Sequence, residues 1–189
     1  MKLLKDRILK EGIVVDQDIV RVDMFLNHQL DVDLLYQLGR ELFDYFSKEK
    51  ITKILTVEAS GIPLACLTAL HFGVPVVYAK KGRVRTQEGN TFSSEIFSYT
   101  RNETAFISVH QEYLKPQDRV LVIDDFLASG NAVLSLKNLI DQAGAELAGV
   151  GIAIEKGFQE GRGRLKALGI NLYSLAIIAS LEDDQIIFA

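Results

Sequence analysis

Val120 to Ile123 reads Val-Leu-Val-Ile, four apolar residues without alternation, and runs directly into Asp124 and Asp125. A strand with one wet face alternates apolar and polar residues, so a run apolar at every position needs cover on both sides, as at the centre of a parallel sheet. The chain must therefore supply helices for two faces. Downstream, Ala128-Ser129-Gly130-Asn131-Ala132 is a string of small residues, and Ala132, Val133, Leu136, Leu139 and Ile140 then mark one face of a helix that stops near Gly144. Strand, small-residue turn and helix are half of a crossover unit. The expected fold is α/β, with a mostly parallel central sheet flanked by helices.

The rest of the chain repeats this alternation. "MKLLKDRILKEG" reads as a short amphipathic helix. Leu34, Leu35, Leu38, Leu42, Tyr45 and Phe46 repeat at helical spacing behind Asp31 or Asp33 as caps. "TKILTV" is a short strand ending at Glu58, "EASG" turns into a helix through Pro63 to about Phe72, and "VPVVYA" is the next strand. Lys80 to about Glu95 is polar, basic and glycine-bearing, with no sustained period, and a connection of that length reads as functional or mobile. "IFSYT" and "TAFISV" read as a hairpin turning around Asn102 and Glu103. "LAGVGIAIE" is another buried strand, "GRGRLKALG" a short basic helix, and "NLYSLAIIAS" with "QIIFA" a terminal strand pair. At 189 residues, one domain spanning 1–189 is expected.

Composition narrows the function classes. A formal net charge of -4 gives no bulk attraction to nucleic acid or to an anionic membrane. No apolar run approaches the roughly 20 residues needed to span a bilayer, and the N-terminus lacks the uninterrupted apolar stretch of a signal peptide, so a cytoplasmic protein is expected. The one cysteine, Cys66, excludes an internal disulfide framework, and its apolar surroundings predict a buried structural thiol. His28, His71 and His110 are scattered without metal-ligand spacing.

In open parallel sheets, ligands lie beyond the carboxyl ends of the strands, where Asp124 and Asp125 are expected to stand. The segment 128–132 lets a ligand approach backbone N–H groups, Gly130 tolerates a positive φ, and the following helix presents its positive end; together these make an anion cup. Two carboxylates aimed at that same anion would repel it. They are better matched to hydroxyls, or to a hydrated cation, one step away from the phosphate. A ribose 5-phosphate satisfies both halves. The plainer reading is that the two acids only cap the next helix. A P-loop needs lysine after its glycine, whereas Gly130 is followed by Asn131; neither "GVGIAI" nor "GRGRLK" completes a dinucleotide fingerprint; and no later strand carries a phosphoacceptor Asp.

"VLVIDDFLASGNA" resembles the phosphoribosyl-pyrophosphate (PRPP) motif of the type I phosphoribosyltransferase family. The resemblance extends along essentially the whole chain to the branch serving bacterial purine salvage, carried also by "RVDMFLNHQLD", "ITKILTVEASGI", "GVPVVYAKK" and "GIAIEKGFQEGR". It implies that Asp124 and Asp125 hold the ribose hydroxyls and that Ala128, Ser129, Gly130, Asn131 and Ala132 wrap the 5-phosphate. Glu58, Ala59, Ser60 and Gly61 match the family's pyrophosphate loop, in which a non-proline cis peptide turns an amide to the leaving group; this places such a bond between Ala59 and Ser60. Lys80 to Glu95 resembles the mobile lid, with Lys81, Arg83 and Arg85 facing pyrophosphate. The segment around Val20 and Asn27 resembles the hood over the base, Lys156 matches the lysine for the purine 6-oxygen, and Phe158 is placed to stack on the ring. The resemblance further implies Mg²⁺, a homodimer, and xanthine as the acceptor that is converted at N9 to its nucleotide.

Three positions depart from the wider family. Ala128 stands where hypoxanthine-guanine enzymes carry an aspartate, Ser129 replaces the usual threonine, and Ala132 lacks the usual last hydroxyl. A side-chain general base is therefore unassigned. Guanine or hypoxanthine remains an alternative acceptor, since both share the 6-oxygen, and a PRPP-sensing regulator on the same fold is the alternative of another class.

Overall fold

The computed structural model describes residues 1–15, 19–82, 90–98, 103–182 and 185–189. Arg83, Arg85 and the turn residue Asn102 lie outside the described residues. In chain order the elements are α1 (Lys2–Glu11), β1 (Ile13–Val15), β2 (Ile19–Arg21), α2 (Val32–Phe46), β3 (Lys53–Val57), α3 (Ile62–Phe72), β4 (Val76–Lys81), β5 (Thr91–Ser98), β6 (Glu103–His110), β7 (Arg119–Leu127), α4 (Asn131–Gln142), β8 (Glu146–Lys156), α5 (Gly161–Ala167), β9 (Leu172–Glu182) and β10 (Gln185–Phe188).

The main sheet has the order β10-β9-β8-β7-β3-β4-β6-β5. Strands β9, β8, β7, β3 and β4 are parallel, and β10 and β6 run against their neighbours at the two sides. Strand β7 lies at the centre, and its apolar run is covered on both faces. Leu121 and Ile123 enter a core with α1, α2 and α3, while Val120 and Val122 enter a second core with Val133, Leu136, Leu139 and Ile140 of α4 and Leu165 of α5. The helix phases follow the sequence pattern. Leu4 and Ile8 bury one face of α1, and Asp31 caps α2 by accepting from Leu34 N–H at 3.0 Å. The β1–β2 hairpin forms a separate two-stranded piece, and the turn after it inserts Val22, Phe25 and Leu26 into the first core, which seats the hood on the sheet.

Four features differ from expectation. First, β7 continues through Leu127, so Asp124 and Asp125 lie within the strand: β8 accompanies it as far as Leu127 opposite Glu155, whereas β3 stops pairing at Val122. The acids thus have a strand partner on one side only. Second, β5 begins at Thr91, inside the stretch read as irregular, because Ser93 and Ser94 pair with β6 and bond to α4 despite their polar character. Third, Cys66 is exposed. Helix α3 is apolar nearly all round and buries Leu64, Ala65, Thr68 and Ala69, leaving Cys66 and Leu70 on its outer side; apolarity alone gave no signal for which side faces in. Partial desolvation still pushes the Cys66 thiol above its ordinary value, as suits an unreactive cysteine. Fourth, the cis peptide joins Glu58 to Ala59, one bond earlier than expected.

Candidate active site

The site gathers at the carboxyl ends of β3, β7 and β8. Asp124 and Asp125 retain only 4% and 6% of their exposure, which for a pair of carboxylates demands partners. Asp125 has them: Oδ2 accepts from Asn27 Nδ2 at 2.8 Å, and Oδ1 accepts from Ser60 Oγ at 3.0 Å. One carboxylate therefore joins the hood, the turn after β3 and the central strand. Asp124 Oδ1 accepts the Asp125 backbone N–H at 3.0 Å. Its carboxyl is pushed well above the usual range by burial and, next, by the negative Asp125; Lys81 pulls the other way with less effect. Neither acid caps α4, whose N-cap is Gly130 without a side-chain cap bond, so the plain capping reading fails.

Residues 128–131 follow the acids. Gly130 has φ +84, the left-handed conformation that brings the chain into α4. The first amides of a helix have no acceptor within it, and at α4 they follow directly on the loop. Two carbonyls of the loop turn toward α5. Gly161 N–H donates to Ala128 O at 3.0 Å, and Arg164 Nη1 donates to Ser129 O at 2.7 Å and to Asn131 Oδ1 at 2.8 Å.

The turn after β3 sits against both other parts. Glu58 Oε1 accepts the Lys81 N–H at 2.5 Å, and a Cβ on Gly61 would come within 2.8 Å of Asp124 Oδ1 and overlap Thr56 Oγ1, so this turn packs directly on the acid. Thr56 is fully buried and its hydroxyl has no hydrogen-bond partner among the described residues. On the other side, Lys156 is the last residue of β8, paired with Ile178, and Phe158 follows in the next turn with its ring partly exposed. Val20 is buried in the first core through the β1–β2 hairpin.

Of the residues singled out in the sequence, Asp124, Asp125, Asn27 and Ser60 are joined by hydrogen bonds. Glu58, Gly61 and Lys81 adjoin them, residues 128–130 form the next turn with Asn131 and Ala132 opening α4, and Lys156 ends the neighbouring strand with Phe158 in the turn after it. Three participants were missed. Arg164 braces the loop. Glu155, only 1% exposed, takes both oxygens of its carboxylate to Arg162 at 2.5 Å and also accepts from Ser174 Oγ at 2.5 Å. Thr56 underlies Gly61. The doublet Arg162 and Arg164 in "GRGRLK" was the available signal, but spacing alone does not say what an arginine on a short helix faces.

A central strand that delivers two acids, then a small-residue turn that opens a helix, with a hood above, defines an α/β protein of the phosphoribosyltransferase class. The strand order and flanking helices are those of the type I phosphoribosyltransferase fold. The chain belongs to the phosphoribosyl transferase domain family, which matches residues 21–168. It is 50% identical over 188 residues to a xanthine phosphoribosyltransferase of Ruminiclostridium cellulolyticum, covering 100% of this chain and 99% of that one. A xanthine phosphoribosyltransferase of Clostridium novyi is 48% identical over 188 residues, with the same coverage. Among solved structures, an adenine phosphoribosyltransferase of Rhodothermus marinus superposes with TM-score 0.74 at 25% identity, over 94% of this chain and 99% of that one. The enzyme of Trypanosoma brucei in complex with AMP, pyrophosphate and ribose-5-phosphate gives TM-score 0.78 at 20% identity, over 95% and 81%. No described helix is long and apolar enough to cross a membrane.

Proposed function

We propose that this chain transfers the 5-phosphoribosyl group from PRPP to N9 of xanthine, releasing pyrophosphate and forming xanthosine 5'-monophosphate in purine salvage. The observation that carries the reading is the direct succession of Asp124, Asp125 and the 128–132 turn on the central strand, in a chain half identical over its full length to proteins named for that activity.

In this reading the ribose hydroxyls meet Asp124 and Asp125, the 5-phosphate meets the amides of Ala128, Ser129, Gly130, Asn131 and Ala132, and the pyrophosphate meets Glu58, Ala59, Ser60, Gly61 and Lys81. Xanthine lies under the hood between Val20, Asn27, Lys156 and Phe158. Lys156 donates to the 6-oxygen and the Phe158 ring stacks on the purine. The C1–O bond to pyrophosphate breaks as C1 takes on oxocarbenium character, and N9 attacks the opposite face as the imidazole-ring proton of xanthine is lost to solvent. Fixing the sugar by its hydroxyls at one end and its phosphate at the other holds C1 in line between nucleophile and leaving group, and positioning supplies most of the rate.

The donor set also fits Mg²⁺. Among the described residues, the adjacent carboxylates of Asp124 and Asp125 are the pair that would hold the ion, through water, with its other oxygens coming from substrate, as suits a hard cation. When bound it neutralises the departing pyrophosphate. The protein is read as one domain and as a cytoplasmic homodimer that binds neither nucleic acid nor membrane.

The test is a panel of free purines incubated with PRPP and Mg²⁺, with nucleotide formation followed by chromatography. Xanthine is expected to give the highest kcat/KM. Preference for guanine overturns the acceptor, and no product from any purine overturns the transfer.

A further inference from the structure

We propose that Arg164 is a positioning residue that sets the phosphate cup from behind and thereby governs affinity for the phosphorylated sugar. The inference rests on the reading of 128–132 as the 5-phosphate site and adds a residue to it.

In a loop that offers N–H groups to an anion, each peptide must turn its carbonyl the other way, because the N–H and C=O of a trans peptide point in opposite directions. Those carbonyls need donors of their own. Here they find them on α5. The Ala128 carbonyl accepts from Gly161 N–H, and the Ser129 carbonyl accepts from Arg164 Nη1. The N–H groups of these two peptide units belong to Ser129 and Gly130, so they are aimed away from α5. The bond to Ser129 carries a full positive charge and polarises that peptide, which makes the Gly130 N–H a stronger donor to an anion. The same Nη1 reaches Asn131 Oδ1 at 2.8 Å, tying the first residue of α4 to the brace. Arg164 thus spans the loop and the start of the helix.

The alternative, that Arg164 is a surface charge held by Glu160, fits poorly. The Glu160 carboxylate is 3.8 Å away and mostly exposed, whereas both loop contacts are shorter by about an ångström. Lys166 on the same helix is exposed and supplies a matched control for bulk charge.

The experiment compares Arg164→Met, Arg164→Lys and Lys166→Met. The readouts are the KM for PRPP, the KM for xanthine, kcat, and the dissociation constant for ribose 5-phosphate by calorimetry. Arg164→Met is expected to weaken ribose 5-phosphate and raise the KM for PRPP by about tenfold, as loss of a charged hydrogen bond does, while the KM for xanthine stays within about twofold. Arg164→Lys recovers part of the loss, and Lys166→Met matches the wild type. Unchanged ribose 5-phosphate affinity in folded Arg164→Met, an equal rise in both KM values, or an equal loss in Lys166→Met overturns the proposal. Should Arg164→Met lose its cooperative unfolding transition, Arg164→Gln is read in its place, since it keeps one donor; a ribose 5-phosphate affinity equal to wild type overturns the proposal there too. Wild-type protein that binds ribose 5-phosphate but makes no nucleotide defeats the assigned reaction and leaves this inference to be decided by binding alone.

Discussion

Replacing Gly161 with alanine tests whether the phosphate loop is placed by its contact with α5. A Cβ at this position would overlap the carbonyl oxygen of Ala128 and come within 3.0 Å of Leu127 Cδ1 and 3.1 Å of the Gly130 nitrogen. Two of these three are loop backbone, which cannot rotate aside, so the loop must retreat by roughly an ångström, at a cost of about 1–3 kcal/mol. For a chain of this size that lowers the Tm by roughly 2–12 °C. The retreat also displaces the amides of Ser129 and Gly130, and a misplacement of that order costs about 10²-fold in kcat/KM. Gly163, two residues along the same helix, is the control: a Cβ there meets nothing within 4 Å among the described residues. Gly163→Ala therefore gains about 0.5–1 kcal/mol from helix propensity and leaves activity at the wild-type level. Thermal unfolding and initial rates against PRPP concentration decide between them. If Gly161→Ala unfolds and turns over like Gly163→Ala, the close contact does not set the loop and the reasoning fails.

Other perturbations probe the remaining parts of the site. The carboxyl of Asp124 is raised in the folded state, so the fold holds a proton that the unfolded chain releases; stability is highest below the unfolded value of about 3.9 and falls as pH rises from there toward the folded value. Asp124→Asn is accordingly expected to unfold at higher temperature than ligand-free wild type, with a gap that widens from pH 4 to neutrality, while kcat/KM drops by about 10²-fold or more; a gap that narrows with pH would falsify the assignment. Arg162→Met leaves Glu155 buried with Ser174 as its one remaining side-chain partner among the described residues, and a loss of about 3 kcal/mol, read as a Tm lowered by roughly 6–12 °C, is expected. Lys156→Met is predicted to lower kcat/KM for xanthine by roughly 10- to 100-fold and to leave ribose 5-phosphate affinity untouched, because the lysine is assigned to the base alone; equal losses for both ligands count against that role.

The parts of the fold legible in the sequence were those in which one local pattern decides the outcome. Val120 to Ile123 needs two covered faces wherever it lies, and the phases of α1, α2 and α4 follow from spacing. Helix α3 was legible as a helix but not in its orientation, since it is apolar nearly all round, and Cys66 turned out exposed. The extent of β7 was also hidden. Polar Asp124 and Asp125 look like the end of a strand, and only the length of β8 carries the ladder on to Leu127. Likewise the acids, the small-residue turn, Asn27 and Lys156 could be picked from motifs, but Arg164 meets Asn131 across 33 positions, Arg162 meets Glu155 across 7, and Thr56 lies under Gly61 because the turn between them folds back, and no periodicity or motif encodes these contacts.

The extension of β7 explains why this site is arranged as it is. Had the strand ended at Ile123, both acids would sit in a solvated loop, free to rotate. Held in the ladder by β8 but released by β3, they keep a fixed backbone while one edge stays open to a ligand. The arrangement costs stability, because Asp124 is buried beside a second carboxylate with few donors of its own. In the proposed reading a diol or a hydrated cation would supply donors or charge to this carboxyl as it ionises, so that binding would offset part of the cost of burying it. Asp125, by contrast, already has Asn27 and Ser60. In the proposed reading a ribose hydroxyl joins them on the same carboxylate, which would couple the sugar to the hood and to the turn at Ser60.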